Sequence, residues 1–239
     1  IAVPIVAITN MGGLDHVTNA VANVRPDALG LFAGTTFIGI ASALAWGLGY
    51  FGQPHIIVRF MALRTPEDAK AGRRIGMSWM LLTVVGSIST AFVGVAYFAT
   101  HPDVPLADKE SAETVFLDLA QILFHPFIAG MILAAVLAAI MSTLSSQLVV
   151  CSSALVEDLY GVFVKKKLSA NQSLWLGRAG VAIVAVIATL MALDKNNSIL
   201  SLVEFAWAGF GSAFGPIVIL SLYWRKLTLP GAVSGMVVG

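Results

Sequence analysis

Five long apolar stretches constrain the fold of this chain more than any other feature. Spans A to E cover about 31–58, 75–99, 126–156, 174–193 and 199–224, and their apolar residues are continuous rather than alternating. A transmembrane helix needs roughly 20 mostly apolar residues, whereas a membrane barrel strand alternates apolar and polar positions over about 10. The five stretches therefore predict an all-α transmembrane protein.

The composition agrees with a membrane protein. Hydrophobic residues make up 58% of the chain and charged residues 11%, where a soluble domain carries about 25% charged residues. A net charge of +1 gives no reason to expect a nucleic-acid partner. The single cysteine excludes an intrachain disulfide and a multi-cysteine metal site. Without a nucleophile elbow, a phosphate-binding glycine loop or paired catalytic carboxylates, we expect no enzyme and assign no catalytic residue.

The chain begins and ends inside apolar runs, at 1–9 and 231–239. We expect these runs to be the tail of a preceding span and the start of a following one. Residues 1–239 are thus expected to form a single transmembrane-domain fragment. Residues 12–28 are interpreted as an outer loop to which the pattern assigns no role.

Basic residues are distributed unevenly between the two sides that the spans define. The loops at 59–74 and 157–173, with the positions just beyond the second loop and beyond span E, hold 11 of the 14 Lys and Arg residues. Because basic residues accumulate on the cytoplasmic side, both loops are predicted to be cytoplasmic. The three lysines at 165–167 are interpreted as a solvated loop rather than as a lipid-recognition site.

The loop between spans B and C is acidic and ends in an amphipathic stretch at 111–124. One helical face of this stretch carries Val115, Phe116, Leu119, Ile122 and Leu123. Two interpretations fit the pattern, a helix lying at the membrane interface and an outer gate over a substrate path.

Span A contains a local concentration of helix-weakening residues. Residues 46–54 read WGLGYFGQP; each glycine costs about 1 kcal/mol relative to alanine, and proline lacks a backbone donor. A broken helix at membrane depth is the best sequence pointer to a transporter binding site. Trp46, Tyr50 and Pro54 would share one face of a helix and could wall a small pocket. An interfacial aromatic belt with small-residue packing is the alternative.

Span C is too long for one upright crossing, so it must tilt, bend or extend beyond the bilayer. Ala139, Ser142, Thr143 and Ser146 lie on one helical face at its middle. Hydroxyl and carbonyl oxygens suit a hard cation. A Ser or Thr hydroxyl can instead bond the carbonyl four residues earlier, so helix packing with such local bonds remains the alternative.

Span E combines a packing motif with an acid. Gly211, Gly215 and Pro216 predict close helix packing with a kink. Glu204 is a carboxylate inside the span, near its outer end. Both a wetted position and a proton relay fit that location, and the sequence does not choose between them.

Four segments carry a resemblance to a known family. They are WGLGYFGQPHIIVRFM at 46–61, the stretch 138–143, CSSALVEDLY at 151–160 and the stretch 206–216. The end of the chain has the spacings of a family signature, at Ser221, Leu222, Lys226, Gly231, Ala232, Gly235 and Gly239. Over nearly its whole length the chain resembles the sodium:solute symporter family, and in particular the bacterial members that carry proline.

The resemblance implies a LeuT-type fold of two inverted five-helix repeats. Spans A to E would be the second repeat, with span A as its broken helix and span C as the helix that helps to hold sodium. The N-terminal repeat of the same chain would then be a partner, together with the lipid bilayer. The implied activity is uptake of L-proline by alternating access, coupled to co-transported sodium ion, across the bacterial inner (plasma) membrane.

The resemblance also implies roles for individual residues. Sodium would be held by the backbone carbonyl of Ala139 and the hydroxyls of Ser142 and Thr143. Glu113 and Phe116 would belong to an external gate. Three residues of the broken helix would contact proline: Trp46, Tyr50 and Pro54.

Three other functions remain open on the sequence. The solute could be another small organic molecule, or the coupling ion a proton. The chain could also be the symporter-like membrane input domain of a sensor kinase. An inert membrane anchor fits poorly, because glycines and hydroxyls cluster in spans A, C and E.

Overall fold

The computed structural model describes residues 1–104, 112–160, 169–193 and 198–239, and within these ranges it is helical with no strand. Ten α-helices are described: α1 (Ala2–Asn10), α2 (Leu14–Val24), α3 (Phe37–Gly52), α4 (Pro54–Met61), α5 (Pro66–Thr100), α6 (Val115–Leu123), α7 (Pro126–Ser153), α8 (Ala170–Ala192), α9 (Ile199–Tyr223) and α10 (Leu229–Val238). A 3₁₀ turn, Pro26–Leu29, follows α2, and a π-helical segment, Ala154–Tyr160, continues α7. The predicted all-α class is confirmed for these residues.

Four described helices are long and apolar enough to cross a membrane. They cover Pro66–Thr100, Pro126–Val156, Asn171–Ala192 and Ile199–Tyr223. At 1.5 Å per residue even the shortest, with 22 residues, reaches about 33 Å, and the hydrocarbon core is about 30 Å thick. The chain is therefore part of a multi-pass membrane protein. Helices α3 and α10 are apolar but shorter.

Two helices begin earlier in the chain than the apolar pattern predicts, because side-chain caps extend them into polar sequence. The Thr65 hydroxyl accepts the Asp68 N–H at 3.2 Å, and Pro66 occupies the first helical position of α5. Ser169 and Gln172 form a reciprocal capping box at the start of α8. Because capped polar turns stay helical, much of the predicted loop at 59–74 lies on α4 and α5. Of the loop at 157–173, residues 161–168 lie outside the described residues.

Contacts divide the chain into two compact units, 1–50 with 59–134 and 51–58 with 135–239. The core of the first unit lies where α1, α2, α5 and α6 meet, and it includes Val21, Val93 and the fully buried Leu119. The interpretation of residues 12–28 as a loop is therefore wrong, since they contain α2. Its Val17 and Val21 are buried in this core, so packing against the core stabilises α2.

In the first unit α6 covers part of the predicted amphipathic stretch. The helix contacts α1 and α5, and it buries Leu119 and Ala120 in the core. Residue 111, where the stretch was predicted to begin, lies outside the described residues. Four residues of the predicted apolar face thus pack in the core, whereas Ile122 is exposed.

The second unit contains the interruption between α3 and α4. Gln53 lies between the two helices and is only 7% exposed. Its carbonyl accepts the N–H groups of Ile56 and Ile57, both at 3.1 Å. Freed backbone groups at membrane depth must find partners inside the protein. These two bonds satisfy the carbonyl at the break, and they start α4.

Gly52 allows the break to lie directly against α9. A β-carbon added at Gly52 would lie 2.6 Å from the carbonyl carbon of Phe210 and 3.0 Å from the amide nitrogen of Gly211. No real side chain fits at such distances from backbone atoms. The buried Gly211 therefore packs against Gly52, and this contact explains the first glycine of the Gly-xxx-Gly pattern in span E.

We expect the Gly52→Ala substitution to destabilise the full-length protein by about 1–3 kcal/mol, because α9 or the break must shift to admit the methyl group. Gly47→Ala and Gly209→Ala are matched controls, since a β-carbon at either position meets no atom within 4 Å. They should be neutral or stabilising, because alanine favours a helix by about 1 kcal/mol. The thermal unfolding midpoint in detergent checks this, and equal shifts in all three variants would contradict the contact.

Candidate functional site

The predicted sodium ligands lie together in the middle of α7. Ala139, Ser142 and Thr143 all occupy exposed positions on this helix. The Thr143 hydroxyl donates to the Ala139 carbonyl at 3.1 Å, so two of the three predicted ligand oxygens are adjacent. This bond is the local hydroxyl-to-carbonyl interaction that the sequence left as an alternative to ion binding.

The spacing of these two oxygens also suits a bound cation. A hard cation of the size of Ca²⁺ or sodium holds oxygen ligands at about 2.3–2.6 Å, which places neighbouring ligands roughly 3.2–3.7 Å apart. The observed 3.1 Å is close to that separation. The local bond and the predicted ion site therefore involve the same two oxygens.

Other hydroxyls of α7 make comparable local bonds. Ser145 donates to the Met141 carbonyl at 2.8 Å, and Ser146 donates to the Thr143 carbonyl at 2.8 Å. Ser146 was predicted on the same face as Thr143, and its bond to that backbone holds it there. Ser145 has the same chemistry on a different part of the helix surface, which makes it a useful comparison.

The predicted substrate residues flank the helix break. Trp46 and Tyr50 lie one turn apart on α3 and are 38% and 44% exposed. Pro54 is the first residue of α4 and is separated from them by the non-helical Gln53. The non-helical Gln53 interrupts the helix on which the three were predicted to share a face, and their role in substrate binding stays a prediction. Gln53 was not predicted to lie at the break, although a polar amide within a glycine–proline cluster could have indicated it.

The predicted gate residues lie at the start of α6. Glu113 is exposed and precedes the helix, whereas Phe116 is half-buried and packs against the core of the first unit. Phe116 also lines a groove of about 520 Å³ with Trp79, Thr83, Ser87 and Thr90 of α5. These hydroxyls each donate to their own helix backbone, for example Thr90 to the Gly86 carbonyl at 2.8 Å. The groove is therefore predominantly apolar.

The described residues hold no group of three or more His, Cys, Asp or Glu side chains that could bind a metal ion together. Such groups suit multivalent metals, which need charged or strongly basic ligands. The oxygens on α7 are neutral hydroxyls and carbonyls. Neutral oxygens of this kind are compatible with a monovalent cation, and sodium binding at α7 stays a prediction.

This chain is similar to a known protein family and to several curated transporters. The family model for the sodium:solute symporter family matches residues 1–239. The chain is 50% identical over its whole length to the high-affinity proline transporter PutP of Bacillus subtilis, covering 50% of that protein. It is 51% identical to the osmoregulated proline transporter OpuE of the same organism and 46% identical to the sodium/proline symporter of Escherichia coli, covering 48% of each. No solved structure matches the chain significantly.

The match extends over all 239 residues, and the chain spans about half the length of the curated relatives it matches. The relatives are transporters and not enzymes, in agreement with the sequence prediction. The family predicted from the four matching segments is thereby confirmed. This chain belongs to the sodium:solute symporter family.

Proposed function

We propose that the protein containing this chain couples inward movement of sodium to uptake of L-proline by alternating access in the bacterial plasma membrane. The observation that carries the proposal is the identity of about half of all residues, over the whole chain, with relatives named as proline transporters and as a sodium/proline symporter. Sodium is cargo in this proposal, bound and released once in each cycle.

The proposed architecture is a LeuT-type inverted repeat, with this chain as the second five-helix repeat. The broken α3–α4 segment would be its first helix, followed by α5, α7, α8 and α9. Only 6% of the apolar window of α7, and likewise of α8, is buried within this chain. Those exposed faces leave room for the N-terminal repeat and for lipid.

In this proposal sodium binds at Ala139, Ser142 and Thr143 together with ligands from the other repeat. In the absence of sodium, the Thr143 hydroxyl bonds the Ala139 carbonyl, so neither group is left unsatisfied at membrane depth. An arriving ion takes over both oxygens. Coupling requires that sodium bind the proline-competent state more tightly than the other states.

The sodium gradient supplies enough free energy for uptake. One charge that crosses about 100 mV releases roughly 2.3 kcal/mol. A tenfold sodium gradient adds about 1.4 kcal/mol. With one sodium per proline, the sum would support an accumulation on the order of 500-fold.

Proline would bind beside the break, near Trp46, Tyr50 and Pro54. Its ring is apolar and its amine is cationic, and the face of an aromatic ring favours both. The N-terminus of α4 begins at the break, and helix N-termini favour a carboxylate such as that of proline. Glu113 and Phe116 would close the path from the outside.

The direct test is uptake of labelled proline into vesicles that contain the full-length protein, with and without an inward sodium gradient. We expect accumulation only with sodium. Uptake driven by a proton gradient would show that the coupling ion is a proton. Sodium-driven uptake of a different small solute would show that the substrate is not proline. If a folded protein transports nothing, the membrane input domain of a sensor kinase becomes the better assignment.

A pair of substitutions should separate the two proposed sites. Thr143→Ala and Ser142→Ala are expected to raise the sodium concentration for half-maximal uptake about tenfold, equivalent to roughly 1.4 kcal/mol of ion binding. Trp46→Leu is expected to raise the KM for proline about two- to tenfold through loss of ring contacts.

Each control removes the same kind of side chain as the test variant, at a position outside the proposed sites. Ser145→Ala removes a hydroxyl that bonds only its own helix among the contacts described, and Trp224→Leu removes a ring that is 51% exposed. Both should leave the two parameters unchanged, and Thr143→Ser should retain sodium affinity. The ion-site assignment fails if the Ser145 and Thr143 variants behave alike.

Single cysteines in a cysteine-free full-length background test sidedness and the gate together. With intact cells and a membrane-impermeant maleimide, Asp103→Cys is expected to react, whereas Arg64→Cys should react only after permeabilisation. Phe116→Cys should react from outside and become protected when sodium and proline are both present. Labelling of Arg64→Cys in intact cells would reverse the proposed orientation, and an unprotected Phe116→Cys would remove the gate.

A further inference from the structure

A groove separates the end of α7 from the start of α8 in the second unit. It encloses about 680 Å³ and combines two kinds of lining. Its apolar wall includes Val149, Val156 and Val181, and its polar wall includes Ser153, Ser173 and Arg178. A cavity of this volume lies in the range of small-molecule sites, large enough for a polar headgroup and part of an acyl chain.

The floor of the groove is fixed by a contact between the two helices. The buried Ser152 hydroxyl donates to the Gly177 carbonyl of α8 at 2.7 Å. A β-carbon added at Gly180 would lie 2.9 Å from the same hydroxyl, so Gly180 is needed for this approach. The π-helical segment begins two residues beyond Ser152 and packs on α8. One interhelical hydrogen bond and one close glycine contact thus fix the two helices that form the groove.

Arg178 places a positive charge at this groove. It is exposed, and it lies within the membrane-capable segment Asn171–Ala192, one turn after the apolar run begins at Leu174. The guanidinium carbon lies 5.3 Å from the centroid of the Trp175 ring. A charge inside a spanning helix is costly unless it meets an opposite charge or reaches the headgroups. A guanidinium matches a phosphate group with two parallel hydrogen bonds.

We propose that this groove is a binding site for an anionic phospholipid, a function separate from sodium and proline binding. The lipid phosphate lies at Arg178 beside the hydroxyls of Ser153 and Ser173. The first part of an acyl chain lies along Val149, Val156 and Val181. The charge of Arg178 selects a lipid with net negative charge over a zwitterionic one of the same shape.

The predicted orientation agrees with this occupant. The end of α7 and the start of α8 adjoin the loop at 157–173, which the basic residues assign to the cytoplasmic side. Anionic lipids give the cytoplasmic leaflet its negative surface potential. The proposed headgroup position is therefore in the leaflet that is rich in such lipids.

The test compares two lipids that differ only in headgroup. Purified full-length protein in detergent is mixed with phosphatidylglycerol or phosphatidylcholine of identical acyl chains, and retained lipid is counted by native mass spectrometry. We expect tighter retention of phosphatidylglycerol, and an about fivefold loss of its affinity in Arg178→Gln, as expected for one basic residue near a lipid surface. Arg225→Gln, an exposed arginine beyond α9, should have no effect.

A second variant keeps the proposal testable if Arg178→Gln does not fold. Val181→Trp fills the apolar wall and leaves the charge in place, so it should lower retention of both lipids. Equal retention of the two lipids by the wild type, or equal losses in the Arg178 and Arg225 variants, would overturn the proposal. Unchanged retention in Val181→Trp would do the same, because the groove would then be covered by protein, such as the N-terminal repeat.

Discussion

The need to satisfy every backbone polar group without water governs this structure. In a bilayer core an unpaired N–H or C=O costs several kcal/mol, which favours helices over the long apolar stretches of the chain. The interruption at Gln53 obeys the same rule, because its carbonyl accepts two amide groups of α4. Gly52 then seals the break against the backbone of α9. A gap in the helix is tolerated here because protein, and not lipid, surrounds it.

The same constraint shapes the proposed ion site. The Thr143 hydroxyl donates to the Ala139 carbonyl at 3.1 Å, so it is satisfied within its own helix. Under the proposal, sodium would compete with this hydrogen bond, so its net binding energy would be smaller than with unbonded ligands. A transporter has to release its ion on every cycle, so a self-satisfying pair suits the task better than charged ligands would. Neutral oxygens also leave the empty site free of a buried charge.

The sequence predicted those features that depend on length and local composition. Helices α5, α7, α8 and α9 overlap four of the predicted spans, and the break coincides with the glycine–proline cluster before Pro54. Features that depend on distant contacts were missed. Val17 and Val21 of α2 are buried because α2 packs against α5, which is distant in sequence. The contact between Gly52 and the backbone of α9 was likewise not predicted, because these residues are far apart in sequence.

Two exposed polar surfaces on adjacent helices have different physical requirements. The hydroxyl face around Ser142 and Thr143 lies mid-helix on a span whose apolar window is 6% buried. A hydroxyl at that depth cannot reach the headgroups, and Thr143 instead donates to the Ala139 carbonyl of its own helix. Arg178 lies near the start of α8, and its long side chain can extend to the membrane surface. Hydroxyls of the first surface are thus satisfied within their own helix, whereas the guanidinium of the second needs an opposite charge or the headgroup region.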